Sequence, residues 1–276
     1  MEISMTNYKL SALLSEKQVF ELLKESGFDG IDYGFPNEHC AQMLDESYVS
    51  TAKKTRQALD EFGLNCYQVH APFSFKYGEN MDETSINYTH ICRSIEFASI
   101  LGAEIIVIHT VNNIDDEKLF FDYNLKYYHS FEALAKKFNI KIAVENLAKS
   151  RLKTPEKFRD FVAKLNSNTF CVCIDVGHCY LVDQTPEAFI NVLPKGKIQC
   201  LHLHDTDLVV DRHWAPYLGL HNWDNITSAL KNYGYDKPIA LEVIHSFDNL
   251  DESLILPMLK YCEKAGRLLA NKISSK

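Results

Sequence analysis

The sequence lacks the features of a membrane protein and those of a nucleic-acid-binding protein. No apolar run reaches the ~18 residues of a membrane-spanning helix. The N-terminus has no basic segment followed by an apolar core, so we expect no membrane segment and no secretory signal. No long basic block occurs either, and the formal net charge is −8. Because neutralised phosphates supply most of the nonspecific affinity for DNA, this charge argues against a nucleic-acid partner.

The cysteines give no sign of a disulfide framework. None of the eight cysteines forms a CxxC pair. Cys66, Cys171, Cys173 and Cys200 lie inside apolar runs that are typical of strands. We therefore expect reduced thiols in the core and a cytoplasmic location.

The chain also lacks a linker, a low-complexity segment or a shift in composition, so we expect residues 1–276 to form a single domain. Strand and helix patterns alternate eight times, and Ser15, Gly27, Gly63 and Thr154 mark helix ends. The predicted strands lie within 5–14 and at 28–35, 64–70, 103–109, 140–146, 170–175, 197–204 and 237–243. The predicted helices lie at 16–26, 47–62, 84–101, 117–138, 155–165, near 186, at 222–233 and at 252–271.

The predicted strands are continuously apolar, as strands buried on both faces are. An alternation of this length fits either an eight-stranded barrel or a doubly wound open sheet. Residues that can bind metals end strands three to eight, and only a closed barrel brings all those ends around one centre. The sequence therefore predicts an α/β fold, a single (β/α)8 barrel with its site at the carboxyl ends of the strands.

The strongest chemical signal is FCVCIDVGH, in which an apolar run ends in Asp175 before a glycine-containing turn. Other apolar runs end in Glu145, His202 and Glu242. Together these four form a mixed oxygen and nitrogen set that suits Mn²⁺, Zn²⁺, Co²⁺ or Mg²⁺. Without a cation, three clustered carboxylates would repel one another and partly protonate. We therefore predict one divalent metal ion at this set, while for each residue alone a solvated or capping role is the alternative.

Five further residues form a second candidate set. His70 and His109 end strands three and four, and His178 follows strand six. Asp211 and His213 belong to the DRH sequence in the long loop after strand seven, and in an extended segment their side chains would point the same way. These residues are predicted to be either extra metal ligands or groups that hold the substrate, with solvated loop residues as the alternative for the DRH pair.

Loop residues at the same rim are weaker candidates for substrate binding. Lys149, Arg151 and Arg212 have the charge to meet a substrate phosphate, although solubilising loop charge is the more common role. Aromatic rings on which a sugar face can stack are those of Trp214, Trp223, Phe73 and Phe75.

Short motifs in a fixed order carry a resemblance that spans nearly the whole chain. They are VHAPF at 69–73, IVIH at 106–109, VEN at 144–146, IDVGH at 174–178, HLHD at 202–205, DRH at 211–213 and LEV at 241–243. In this order the chain resembles the xylose isomerase-like TIM barrel superfamily. That superfamily holds sugar and sugar-phosphate isomerases and epimerases, an inositol-catabolism isomerase and dehydratase branch, and endonuclease IV. The resemblance implies a TIM barrel with one metal held by Glu145, Asp175, His202 and Glu242, of which Glu145 and Glu242 also move the proton.

The resemblance to endonuclease IV implies a different use of the same residues. That enzyme binds three zinc ions through these four positions and those matched by His70, His109, His178, Asp211 and His213. All nine residue types are present here. The HLHD motif, and IDVGH followed by CYLVD, resemble the sugar enzymes instead, and the acidic net charge also favours that branch.

We therefore predict a divalent-metal-dependent sugar or sugar-phosphate isomerase or epimerase. In this hypothesis a ketose passes through a metal-stabilised enediolate, one of Glu145 and Glu242 removes the carbon-bound proton, and the other returns one. The alternatives are a metal-dependent lyase or dehydratase acting on a sugar or cyclitol, an endonuclease IV-like trinuclear zinc phosphodiesterase acting on abasic DNA, and a non-catalytic sugar-binding barrel. The expected partner is a small carbohydrate, and barrels of this type often self-associate as homo-oligomers.

Overall fold

Eight short parallel strands form the centre of the molecule. The computed structural model describes residues 1–35, 47–73 and 75–275. The strands pair in the order β7-β6-β5-β4-β3-β2-β1-β8. Leu203 closes the ring by a parallel bridge to Leu241, with Leu203 N–H donating to the carbonyl of Ala240 at 2.9 Å. The strands are β1 (Ile3–Thr6), β2 (Gly30–Gly34), β3 (Asn65–His70), β4 (Ile105–Ile108), β5 (Lys141–Glu145), β6 (Phe170–Asp175), β7 (Ile198–His202) and β8 (Ile239–Leu241).

Helices connect successive strands and pack around the ring, which confirms the predicted (β/α)8 barrel. The Ser15 side chain and Gln18 form a capping box at the start of the first helix, and Gly27 ends it in the left-handed conformation. The helices of the described residues are α1 (Glu16–Ser26), α2 (Tyr48–Phe62), α3 (Ile86–Leu101), α4 (Glu117–Phe138), α5 (Pro155–Leu165), α6 (Val176–Tyr180), α7 (Pro186–Val192), α8 (Trp223–Tyr233) and α9 (Glu252–Ser274). Short 3-10 turns cover Leu10–Ala12 and His245–Phe247.

Two short elements differ from the sequence prediction. The first strand was expected within 5–14, but it is Ile3–Thr6, which pairs with both β2 and β8, and a 3-10 turn occupies part of the predicted range. The helix α6 was not predicted at all, because its five residues are too few to show a periodic pattern. The loop predicted to open at Pro36 lies outside the described residues.

Two apolar layers fill the fold. The larger joins the outer faces of the strands to the helices, and a small second cluster of Ile105, Val107, Ala143, Cys171, Cys173 and Cys200 lies on the alternate, inward strand positions. The seven cysteines that the structure describes are free thiols, as expected. Within the described ranges, no helix has both the length and the apolar character needed to cross a membrane.

Candidate functional site

The inward face of the barrel carries the first predicted ligand set to the carboxyl ends of the strands. Side chains of successive strand residues point to opposite faces. Interior positions of β5, β6 and β7 are filled by Ala143, Cys173 and Cys200. Two residues further along each strand, on the same face, stand Glu145, Asp175 and His202. Glu242 directly follows β8, so the fold places all four predicted residues at one mouth of the barrel.

His202 lies at the centre of this arrangement and is fully buried. Its Nδ1 is 3.5 Å from Glu145 Oε1 and 3.5 Å from Glu242 Oε2. Its Nε2 is 3.5 Å from Oδ2 of Asp32, a buried residue of β2. Neither ring nitrogen has a partner with hydrogen-bond geometry. An unpaired buried polar atom costs ~1–3 kcal/mol, and coordination of Nδ1 to a metal ion would remove that cost for one of the two nitrogens.

Asp175 is held by its neighbours on three sides. The Asn146 side chain extends the β5–β6 pairing, since it accepts from Asp175 N–H and donates to the Asp175 carbonyl, both at 2.8 Å. The Asp175 carboxylate accepts the His178 backbone N–H at 2.9 Å and so caps α6. Nε2 of His204 lies 3.0 Å from Asp175 Oδ1. This carboxylate therefore has a fixed orientation at the end of β6.

Glu145 contacts both strand-end histidines of the second set. Its Oε2 lies 3.0 Å from His109 Nε2 and 3.5 Å from His70 Nε2. Burial lowers the pKa of His109, whereas at His70 the hydrogen bond and charge of Glu145 outweigh burial and raise the pKa. Burial alone would raise the pKa of Glu145, but the charges of His109 and His202 hold it well below its usual value.

The remaining members of the second set form a chain of contacts at the mouth. Asp211 Oδ2 lies 3.2 Å from His178 Nε2, and Asp211 Oδ1 lies 3.2 Å from His213 Nε2. The expected extended geometry of DRH is wrong, because His213 has a φ of 43° and its Nδ1 turns to the Glu242 carbonyl at 2.8 Å. The two side chains nevertheless meet. Burial opposes protonation of His213, but the charges of Glu242, Asp211 and Asp175 raise its pKa to about 9.

The structure joins the two predicted sets into one continuous cluster. Ligand atoms within 4.8 Å of one another occur in His70–His109–Glu145, in His178–Asp211–His213 and in Glu145–Asp175–His178. None of the compact groups among the described residues contains three members of the first set. His202 contacts Glu145 and Glu242 directly, whereas Asp175 is joined to Glu145 through His178 of the second set. Burial opposes protonation of His178 and His202, but the surrounding carboxylates raise the pKa of both well above its usual value.

These observations fit a divalent cation. Five carboxylates crowd the cluster, and their mutual repulsion favours the binding of a cation among them. Oxygen and imidazole donors together suit divalent ions such as Mn²⁺, Zn²⁺, Co²⁺ or Mg²⁺. Unpaired buried atoms concentrate here too: both ring nitrogens of His202, Nδ1 of His178 and of His204, and Oδ1 of Asp32 and of Asp211.

An open pocket with about 750 Å³ of space lies over the cluster. Its ionisable lining residues are His70, His109, Glu145, His178, Asp211, His213 and Glu242. The other lining residues are Thr6, Tyr8, Gly34, Phe35, Ala71, Pro72, Phe73 and Ile244. Asp175 and His202 lie beneath this lining and are fully buried. Glu145 and Glu242 both belong to the lining, Glu145 almost fully buried within it and Glu242 partly exposed.

The weaker candidates from the loops are placed elsewhere. Lys149 and Arg151 line a different cavity, and Arg151 donates to the Ile114 carbonyl and to Asp115. Arg212 donates to Asp207 at 2.7 Å and lies over the ring of Trp214. Neither Arg212 nor Trp214 belongs to the pocket lining, whereas Phe73 does.

Sequence reasoning missed four residues that organise the site: Asp32, Asn146, His204 and Asp205. Asp205 accepts from the backbone of Tyr217 and His221 and from Trp223 Nε1 at 2.9–3.1 Å, and so folds the loop that carries DRH. Asn146, His204 and Asp205 stand inside the VEN and HLHD motifs, where their polar character among apolar residues was an available signal. Asp32, a single carboxylate inside a buried strand, was the same kind of signal.

Comparisons with known proteins agree with this architecture. A family model described as xylose isomerase-like TIM barrel matches residues 20–260. The uncharacterized protein y4fM of Sinorhizobium fredii is 26% identical over 252 residues, which cover 80% of this chain and 79% of the relative. A crystal structure of a D-tagatose 3-epimerase-like protein has a TM-score of 0.75 at 22% identity and covers 99% of this chain and 100% of that chain.

A second structural neighbour shares the fold along its whole length. It is the IolI protein, solved with a bound zinc atom, with a TM-score of 0.75 at 17% identity, and the likeness covers 100% of this chain and 98% of that chain. The match of the family model to most of the chain decides the assignment: this protein belongs to the xylose isomerase-like TIM barrel family.

Proposed function

We propose that the protein is a metal-dependent sugar isomerase or epimerase that works by proton transfer next to a carbonyl. The observation that carries the proposal is the position of two carboxylates: Glu145 and Glu242 both line the pocket, and both lie 3.5 Å from the same nitrogen of His202. One structural neighbour, an epimerase-like protein, supports the reaction class, and another, solved with a bound zinc atom, supports the metal.

The residues proposed to hold the cation are Glu145, Asp175, His202 and Glu242. When bound, a divalent ion polarises a carbonyl and stabilises the negative charge that develops on its oxygen. No thiolate belongs to the set, so zinc is not singled out over Mn²⁺, Co²⁺ or Mg²⁺.

Proton transfer is proposed for the two glutamates that face the pocket. One of them accepts the proton from the carbon next to the carbonyl, and the other donates a proton to the enediolate. Delivery to the opposite face of the same carbon inverts that centre, whereas delivery to the neighbouring carbon moves the carbonyl. His178, which lines the pocket and carries a raised pKa, is placed to donate a hydrogen bond to a substrate oxygen.

The proposal predicts exchange of a substrate carbon-bound proton with solvent. Ketoses incubated in D₂O with metal-loaded protein should gain deuterium next to the carbonyl, detected by NMR whatever the final product. Glu242→Gln should slow this exchange by about 1,000-fold, because the amide cannot accept or donate the proton. Glu83→Gln, at an exposed loop position, is the matched control. Full exchange in Glu242→Gln would rule out the role proposed for this residue.

A second candidate function is favoured by one specific observation. Besides the first ligand set, the compact groups His70–His109–Glu145, which shares Glu145 with that set, and His178–Asp211–His213 could each hold a metal ion, and sites with more than one metal ion suit hydrolysis of a phosphodiester. The acidic pocket and the net charge of −8 oppose binding of DNA. Cleavage of abasic duplex DNA by zinc-loaded protein would establish this function in place of the first.

A further inference from the structure

A second cavity lies at the amino ends of the strands, at the opposite end of the barrel from the cluster. It has about 880 Å³ of space, and none of its described lining residues lines the pocket over the cluster. Glu2 precedes β1, Asn65 begins β3 and Pro238 directly precedes β8, so the lining extends across this end of the ring. Active sites of TIM barrels lie at the carboxyl ends of the strands, so the site described above does not account for this cavity.

Two β-bulges direct side chains into the cavity. The β2–β3 pairing skips Tyr67 and the β6–β7 pairing skips Gln199, so each is the extra residue of a bulge. The strands β3 and β7 stand on opposite sides of the eight-stranded ring. Both extra side chains nevertheless line the same cavity. Bulges re-aim side chains at the rims of barrels, and here they bring a phenol and an amide together.

One glycine makes room for the phenol ring. A Cβ atom on Gly30 would lie 2.5 Å from Cε2 of Tyr67 and even closer to the Asn65 carbonyl oxygen. Glycine inside a strand permits such a close approach. The Asn65 side chain donates to the Tyr67 hydroxyl at 3.0 Å. Packing against Gly30 and this hydrogen bond therefore hold the ring in one orientation at the cavity.

Gln68 supplies the observation that points to a ligand. Its side chain lines the cavity but is only 3% exposed. Its Nε2 is buried and has no hydrogen-bond partner among the described residues. A buried donor without a partner is costly. An acceptor oxygen of a molecule bound in the cavity would remove that cost.

The charges of the cavity favour an uncharged ligand. Its ionisable side chains include two carboxylates, of Glu2 and Glu104, and two cations, of Arg56 and Lys237. Both cations already contact carboxylates outside the lining, those of Asp60 and Asp236. They are therefore not free to neutralise an anion, and their own charge opposes a cationic ligand.

The amides of the cavity favour hydroxyl groups. Three amide side chains belong to the lining, those of Asn65, Gln68 and Gln199. An amide offers both donors and an acceptor, and a hydroxyl offers the same pair of functions. The Tyr67 ring adds an aromatic surface that can cover the carbon face of a small ring. Together these groups suit a ligand with several hydroxyls and no net charge.

We propose that this cavity is a second ligand site, which binds a small uncharged polyhydroxylated molecule such as a polyol or cyclitol. An oxygen of the ligand accepts from Gln68 Nε2, and its other hydroxyls bond to Asn65 and Gln199. The described lining contains no histidine and none of the compact groups of potential metal ligands, so the site binds its ligand without transforming it. The proposal does not depend on the function proposed for the cluster.

Titration by ligand-detected NMR tests the proposal on the full-length, metal-loaded protein. The probes are myo-inositol and D-glucitol, which carry hydroxyls but no carbonyl and so cannot be substrates of proton transfer next to a carbonyl. Ethanolamine and inorganic phosphate serve as charged competitors. Gln68→Met and Gln199→Leu each remove one amide from the cavity. Glu242→Gln is the control, because it changes only the pocket over the cluster.

Both polyols should bind the unaltered protein and Glu242→Gln with equal affinity. Gln68→Met and Gln199→Leu should each weaken binding by about 10-fold or more, because a ligand hydroxyl loses its partner. Ethanolamine and phosphate should not displace the polyols. In the ligand-free protein, Gln68→Met should be at least as stable to urea as the unaltered protein, because the variant lacks the unpaired donor.

Four results would overturn the proposal. The first is no polyol binding up to tens of millimolar. The second is binding that Glu242→Gln abolishes and the two amide variants retain, which would place the polyol in the pocket over the cluster. The third is displacement by ethanolamine or phosphate, which would contradict the ligand class. The fourth is marked destabilisation by Gln68→Met, which would make this amide a structural group.

Discussion

Several ionisable residues of the site are buried and have polar atoms without a hydrogen-bond partner. Asp32 is one of them. Its carboxylate is buried, its Oδ1 has no hydrogen-bond partner, and its Oδ2 faces Nε2 of His202. A carboxylate behind a metal-binding imidazole fixes the ring orientation and makes the ligating nitrogen more basic. Asp32 is therefore placed to support His202 without touching the substrate.

Asp32→Asn keeps the size of this side chain and removes its charge. We expect the affinity for Zn²⁺ to fall by about 10-fold or more, measured by competition with a fluorescent zinc chelator. Asp236→Asn, at an exposed position, controls for the loss of one negative charge. Equal affinity in the two variants would show that Asp32 does not act through His202.

The sequence could identify nine residues of the cluster because each ends an apolar run or belongs to a short motif. It could not distinguish the roles of the two sets, because contacts such as His178 with Glu145 depend on how the barrel closes. His204 is visible as a polar residue within the HLHD motif, but its contact with Asp175 depends on how the barrel closes, so its role could not be predicted.

At the scale of elements, the β6–α6 corner depends on one glycine. A Cβ atom on Gly177 would lie 2.1 Å from Cε1 of His204, far inside contact distance. His204 in turn holds the Asp175 carboxylate and stacks on the His213 ring, with centroids 3.9 Å apart. The corner therefore couples the end of β6 to the loop that carries Asp211 and His213.

Gly177→Ala should displace His204 and destabilise the metal-free protein by about 2 kcal/mol through overpacking. Gly34→Ala is the matched control, because its added Cβ would meet Tyr8 at an ordinary 3.5 Å. Urea unfolding of both variants measures the difference. A Gly177→Ala variant as stable as Gly34→Ala would mean that the corner relaxes without strain.

Long elements were predictable and very short ones were not. Ser15, Gly27, Gly63 and Thr154 marked helix ends because capping is a local property of the chain. The four-residue β1 is defined by its pairing with β2 and β8, which are distant in sequence, so local pattern could not locate it.

At the scale of the whole molecule, barrel closure turns scattered strand ends into one acidic site. The alternation of apolar strands with helices left a barrel and an open sheet both possible, and the metal-binding residue types at the strand ends decided for closure. The roles of the rim charges were not predictable, because their partners depend on how the loops fold: Arg212 pairs with Asp207 in its own loop, and Arg151 pairs with Asp115 in the loop after β4. The result is a pocket whose described lining contains neither lysine nor arginine, above a cluster of carboxylates and histidines.

The protonation of this cluster makes metal retention dependent on pH. In the metal-free protein, carboxylate charge outweighs burial, raises the pKa of His213 to about 9 and holds the pKa of His178 and His202 well above its usual value. A protonated ring cannot bind a metal, so binding must release protons, and affinity should rise with pH towards those raised values and fall in acid.

Metal content per chain, measured by elemental mass spectrometry after loading and dialysis, tests the central claim most directly. The account predicts about one divalent ion retained at about pH 8 and lost at about pH 5, with retention weakened by Glu242→Gln. Two or three zinc ions per chain would contradict the single-metal proposal and favour the phosphodiesterase. No bound metal at either pH would contradict the account as a whole.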